Sequence, residues 1–117
     1  MPCVADLGKH DLVGAAQLLP SCEVTEGGIT FLVAADTDAM VRYVSVSDPR
    51  FFTPEGITVG SWLGEVLAAG GMQPQAEPGW AFHSELPSGW AAAFVNGPTM
   101  TEQPLPRKAQ VRWLFRR

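Results

Sequence analysis

Read for spacing alone, the chain switches between two hydrophobic rhythms. Leu12, Val13, Ala15, Ala16, Leu18 and Leu19 crowd together as on a helix face, Asp11 stands where an N-cap belongs, and Pro20 stops the run. That spacing predicts a helix of two to three turns, which Gly14 weakens. After the turn formers Glu26-Gly27-Gly28, Ile29, Phe31 and Val33 alternate with Thr30 and Leu32 at the strand period. Asp36-Thr37-Asp38 then marks a reversal, and Val44 and Val46 alternate with Ser45 and Ser47, so a hairpin is expected between 29 and 47.

The next stretch, Asp48-Pro49-Arg50-Phe51-Phe52-Thr53-Pro54-Glu55-Gly56, carries two prolines that cannot donate to a ladder and a glycine free to take positive φ. It reads as a loop, ordered if its two Phe are buried. Ser61 is placed to cap a second helix with Trp62, Leu63, Val66 and Leu67 on one face and Gly70-Gly71 at its end. Met72 to Gly79 has two prolines and no period, and reads as a connection. Trp80, Phe82 and Leu86 then alternate with His83 and Glu85, Pro87-Ser88-Gly89 turns the chain, and Trp90 to Val95 returns as a second hairpin. Asn96 to Pro106 reads as a surface loop. In the last segment Ala109, Val111, Trp113 and Phe115 alternate with Gln110, Arg112 and Arg116, the pattern of a half-buried strand.

The expected fold class is therefore α+β: two short helices packed on one face of an antiparallel sheet of about five strands. One domain covers 1–117, and a tandem αββ repeat over 11–47 and 58–95, followed by a C-terminal strand at 109–115, is weighed evenly against a chance recurrence of helix and hairpin.

Composition narrows the class. With 117 residues, 46% hydrophobic and 17% charged, the chain has enough apolar material for a core of its own. The net charge of −4 excludes a broad basic surface, so no nucleic-acid partner is expected. Arg107, Lys108, Arg112, Arg116 and Arg117 form a local basic end that reads first as solubilising charge and second as a contact for an anionic partner. No apolar run is long enough to cross a membrane. The start Met1-Pro2-Cys3-Val4-Ala5-Asp6 lacks the pattern of a signal peptide, which makes the cytoplasm the default compartment. Cys3 and Cys22 are expected as free thiols, a disulfide between them being the alternative for an exported chain.

Candidates for chemistry are few. His83 and Glu85, two apart on one strand face, suggest a general base oriented by a carboxylate, against the plainer reading of a solvated polar face; neither Ser84 nor Ser88 suits a triad. Asp48, Arg50 and Glu55 suggest a polar pocket, against Asp48 capping its own turn and Arg50 as a surface charge. Asp36 and Asp38 lack the rest of a calcium loop, and the paired glycines lack the phosphate-loop lysine, so neither metal nor cofactor is expected. Trp80, Phe82, Trp113 and Phe115 read as core. Trp62 and Trp90 are candidate contact residues, Trp90 beside the low-bulk Ala91 to Ala93.

The run Asp48 to Leu67, with its DPRF turn, its TPEGI segment and its VGS-capped helix, resembles a pattern of uncharacterised small bacterial domains. More distantly, the capped helix followed by antiparallel strands is similar to the αββ units of β-lactamase-inhibitor-like and outer-membrane-assembly lipoprotein domains. That resemblance implies an interaction module and supplies no catalytic residue. The leading expectation is a non-catalytic binding or protein-interaction module, with a homodimer as one form of partner and Trp90, Arg112 and low-bulk or C-terminal edge strands as contact points. The alternative is a small-molecule binder or enzyme whose apolar pocket opens between sheet and helices, lined by Trp62, Trp90 and Phe94 with Arg50 or His83 at its mouth.

Overall fold

The structure is a computed structural model that describes residues 10–14, 17–38, 40–77, 80–95 and 106–117. Among the described residues eight strands make one antiparallel sheet: β1 (His10–Leu12), β2 (Leu18–Glu26), β3 (Ile29–Ala35), β4 (Val41–Val46), β5 (Gln75–Glu77), β6 (Ala81–Glu85), β7 (Ala91–Val95) and β8 (Trp113–Arg116). Their order across the sheet is β1-β2-β3-β4-β8-β7-β6-β5. The sheet curls into a half-barrel, and a single short helix, α1 (Leu63–Ala68), accompanies it among the described residues. The α+β class with two helices is thereby overturned, and the tandem αββ reading loses its first helix.

Of the residues expected as that helix, Asp11 and Leu12 belong to β1, and Leu18 and Leu19 to β2, while Ala15 and Ala16 lie outside the described residues. Leu12 pairs with Leu18 and His10 with Pro20. Exposure switches from Leu12 (47%) to Val13 (2%), a strand's alternation rather than a helical stripe. Pro20 ends nothing: it pairs with β1 on one side only, the β3 ladder starting at Ser21, so its missing N–H interrupts no second ladder. Cys22, on β2, is disulfide-bonded, so the expected free thiol does not hold there; Cys3 lies outside the described residues.

The β2–β3 turn is the expected one, Gly27 and Gly28 both taking positive φ (58° and 82°) between the paired Glu26 and Ile29. In the β3–β4 connection the Asp36 carboxylate accepts the backbone N–H groups of Asp38 and Met40 at 2.9 and 3.0 Å and the Arg42 Nε at 2.6 Å. The β6–β7 hairpin forms as expected, closed by Leu86 N donating to the Trp90 carbonyl. Between Met72 and Gly79, read as a connection, Gln75–Glu77 adds itself to β6 as the edge strand β5.

Helix α1 starts one residue later than Ser61 would set it. Trp62 is the N-cap residue, its backbone N–H donating to Glu65 Oε1 at 2.9 Å, while Ser61 Oγ accepts from the Thr58 N–H. The segment 109–111 leaves the expected C-terminal strand to meet the chain before α1: Gly60 N–H donates to Val111 O, and Val111 N–H to Ser61 O. Ala109 and Val111 consequently pack on one side of the sheet, Trp113 and Phe115 on the other.

Two cores result. On the outer face, α1, through Leu63 and Val66, and the loop from 47 to 62 cover Val46, Phe94 and Leu114. Phe51 of that loop packs on Phe31 and Trp90 with ring centroids 5.5 and 4.9 Å apart, while Phe52 is exposed. On the inner face, Val13, Ala34, Tyr43, Trp80, Ala91, Ala93 and Phe115 form the second core. The bulk here is aromatic because β7 offers only Ala: Ala91 stands opposite Phe115, and Ala93 opposite Trp113 and His83. Trp80 and Phe82, expected together, part to the two faces, since Trp80 belongs to the β5–β6 connection. Both strands expected at sheet edges, the Ala-rich one and the C-terminal one, are interior, β8 lying between β4 and β7 and β7 between β8 and β6.

Candidate functional site

The inner face is built from alternate residues of consecutive strands. Register places Ser21 and Glu23 of β2 beside Ala34 and Leu32 of β3, those beside Tyr43 and Ser45 of β4, and Ser45 opposite Phe115 of β8. These strands and the Trp80 connection enclose an open cavity of about 460 Å³. Its floor is Tyr43, Trp80, Trp113 and Leu32; its walls carry the hydroxyls of Thr30, Ser45 and Ser47 and the carboxylates of Asp11 and Glu23. Asp11, on β1, is fixed by Ser21, whose hydroxyl donates to its Oδ2 at 2.6 Å. Burial pushes the Tyr43 phenol above its usual range; polar contacts from Ser45 and Trp113 and the charge of Arg117 oppose that rise, and the charge of Asp11 adds to it. The phenol therefore enters the cavity floor as a neutral hydroxyl.

Beside the cavity a second polar group closes the curl. Arg117, just after β8, donates through Nη2 to Glu77 Oε1 at 2.6 Å and through Nη1 to Glu77 Oε2 at 3.2 Å and to Val13 O at 3.3 Å. Glu77 sits on β5 and Val13 follows β1, so one guanidinium ties together the two opposite ends of the sheet. It lies 5.0 Å from the centroid of the Trp80 ring and 5.2 Å from that of Phe115, a cation over aromatic faces. The junction is tight at Gly14, where a Cβ would lie 3.2 Å from Arg117 Nη1 and 3.3 Å from Glu77 Oε2, so that these side chains would have to give by a few tenths of an ångström.

His83 is buried in this group and not on a solvated face, at 4% exposure. Its carboxylate partner is Glu77 at 2.9 Å from Nε2, while Glu85, the expected one, is exposed. The ring packs against Trp80 and Phe115, and its Nδ1 has no hydrogen-bond partner. With an ionised Glu77 accepting, the proton belongs on Nε2, and the bare Nδ1 lone pair is the less costly atom to leave in an apolar setting.

The other residues singled out from the sequence are scattered. Trp62 caps α1 on the outer side, 45% exposed. Trp90 is half-buried against Phe51 in the outer core, with Phe94 fully inside it. Arg50 is at the loop surface, bonded to Asp48 at 2.6 Å, and its Nη2 also donates to Gly28 O at 2.9 Å, so the loop is fastened to the β2–β3 turn. Asp48 accepts the Arg50 backbone N–H as well, the turn role expected of an Asp before Pro. Glu55 joins neither: its two oxygens take the Ser88 N–H and hydroxyl at 2.6 and 2.9 Å, across to the β6–β7 turn. Arg112 is exposed and its backbone N–H donates to Ala93 O. Trp90 and Phe94 thus face away from His83, and Arg50 lies apart from both.

The cavity residues Asp11, Glu23, Tyr43 and Ser45 were not candidates in the sequence. Glu23 and Ser45 did carry a signal, the polar half of a strand's alternation, but two strands' polar faces become one wall only when their register is known. Among the described residues no group of three His, Cys, Asp or Glu side chains is placed to hold a metal ion, and no helix is long and apolar enough to cross a membrane. Set against protein-family models, curated proteins and solved structures, the chain matches none.

Proposed function

We propose that the chain is a non-catalytic binding module that holds a small ligand in the mouth of its half-barrel. The observation that carries this is the inner-face cavity of about 460 Å³, in which an aromatic floor meets hydroxyls and carboxylates from β1, β2, β3 and the end of β4. A recess of that size with an apolar base and a few convergent polar groups is the usual form of a small-molecule site. Among the described residues no imidazole lines the cavity, and His83 is engaged with Glu77 outside the lining, which favours binding over nucleophilic chemistry.

The test is a thermal-shift screen of the whole chain against cationic, neutral and anionic small molecules, read in parallel by tryptophan fluorescence. At least one compound is expected to raise the melting temperature and change the emission, and Trp113→Ala, checked for folding by circular dichroism, should abolish both effects. A screen in which no compound shifts either signal overturns the proposal.

A protein-interaction role is favoured by a separate observation. Among the described residues β1 has a neighbour on one side only, and Leu12 and Leu18 at this edge are 47% and 57% exposed. An edge of that kind is open to strand pairing with a second chain. Light scattering over a concentration series, with Leu18→Lys beside the parent, tests it: a dimer that the lysine disperses supports a self-associating edge, and a monomer throughout removes it. Trp90 serves this reading poorly, being packed on Phe51. The disulfide at Cys22 fits an oxidising compartment and argues against the cytoplasmic default.

A further inference from the structure

The charge and ring chemistry of the cavity go beyond its shape. We infer that its ligand is a small organic cation, an alkyl- or aryl-ammonium whose charged head is received by Asp11 and Glu23 and whose apolar body lies over Trp113; this inference rests on the binding role proposed above. Of the described residues that line the cavity, two are carboxylates and none is Lys, Arg or His. The nearest guanidinium named on this face, Arg117, is spent on Glu77 and the Val13 carbonyl. A recess whose described charged lining is two carboxylates disfavours anions and attracts cations.

Two further features select an organic cation over a bare metal ion. Metal sites need several oxygen or nitrogen ligands converging on a point, and no such group occurs among the described residues. Indole and phenol rings instead make up the floor, and ring faces attract ammonium and guanidinium groups. The chain already uses that attraction once on the same floor, holding its own Arg117 guanidinium 5.0 Å from the Trp80 centroid while Glu77 supplies the carboxylate. Trp113, half-buried, with Asp11 and Glu23 as carboxylates of the same cavity, offers the same pair of partners to an external cation. Trp80 is 7% exposed and already covered, so it serves as a support under the site.

The experiment titrates the whole chain with benzyltrimethylammonium, with neopentylbenzene as its neutral isostere and with phenylacetate as the anion, following tryptophan fluorescence. The cation is expected to bind at least tenfold more tightly than the isostere, the anion not to bind, and the cation's affinity to fall several-fold on raising salt from low to half-molar. Glu23→Gln and Asp11→Asn should each weaken the cation several-fold and leave the isostere unchanged; Glu23, exposed on its strand, is the variant whose folding is least at risk. If cation and isostere bind alike, or if both carboxylate variants keep the parent affinity, the charge inference is overturned while the binding role stands. If these probes fail and only a neutral or anionic compound from the broader screen binds in a Trp113-dependent way, the inference is likewise overturned and the binding role again survives.

Discussion

Tyr43 is the residue in which most of the inner face converges. It stacks on Phe115 with centroids 5.9 Å apart, meets Trp80 edge-on at 6.2 Å and is 4% exposed. Because it is the chain's single tyrosine, its ionisation is visible without overlap from others. Burial raises the phenol's folded-state pKa above 10.0, so the group contributes stability that is full below pH 10 and is lost as pH rises through the folded value. An ultraviolet phenolate titration is expected to give a midpoint above 10 in buffer and near 10 in denaturant; equal midpoints would place the ring in water and remove the floor of the cavity. Asp48 gives the opposite sign at the surface. The Arg50 guanidinium first, and then the Arg50 backbone N–H, hold its carboxyl at about 2. Its contribution is present above the ordinary value of 3.8 and disappears as pH falls toward 2, and Arg50→Ala should bring the Asp48 titration, followed by carboxyl NMR, back toward 3.8.

Elements were legible where turn chemistry and alternation agreed, and illegible where a register or a neighbour decided. The hairpin turns at Gly27-Gly28 and Pro87-Ser88-Gly89, and α1 to within a residue, could be read from local residues alone. Residues 11–19 could not, because Leu12, Val13, Leu18 and Leu19 fit both periods and a proline's meaning depends on which side of its strand is paired. The three residues of β5 have no pattern of their own; β6 recruits them. The Ala91–Ala93 strand was misread for a physical reason of the same kind: low bulk suggested an edge or a partner, whereas the small side chains make room for Trp113, Phe115 and His83 beside them in the middle of the sheet. That account has a consequence at Ala93, which is 0% exposed. Ala93→Leu should cost about 1–3 kcal/mol by overpacking the aromatic face, and the ligand-sensitive fluorescence of the neighbouring Trp113 should shift with it. Chemical denaturation with the parent and Ala93→Gly as controls checks the direction; an unchanged midpoint for the leucine variant would mean that the inner face is not close-packed.

At the scale of the molecule, the order of strands places the last one in the middle. β1 to β4 form one antiparallel meander and β5 to β7 another, and only β8 bonds to both, pairing Ser45 with Phe115 on one side and Ala91 with Phe115 on the other. Leu114, fully buried, carries the same junction into the outer core beside Val46, Ala92 and Val66. Without β8 the two meanders would each expose a full strand edge, with the outer-face loop, α1 and the Tyr43–Trp80 contact left to bridge them. Contacts this distant in sequence form late and bind the halves into one cooperative unit. A chain ending before residue 106 is therefore expected to lose the single sharp thermal transition of the parent, and a synthetic peptide of residues 106–117 added in excess is expected to restore it, with Leu114→Ala in the peptide weakening the rescue by roughly 2–5 kcal/mol. The cavity depends on the same strand for Trp113 and, through Phe115, for the seating of Tyr43, so binding of any ligand should return only with the peptide. Were the shortened chain to melt as sharply as the parent and keep its ligand response, the outer-face loop and α1 would be the true fastening, and the half-barrel would owe its curl to that layer instead of to the strand at its centre.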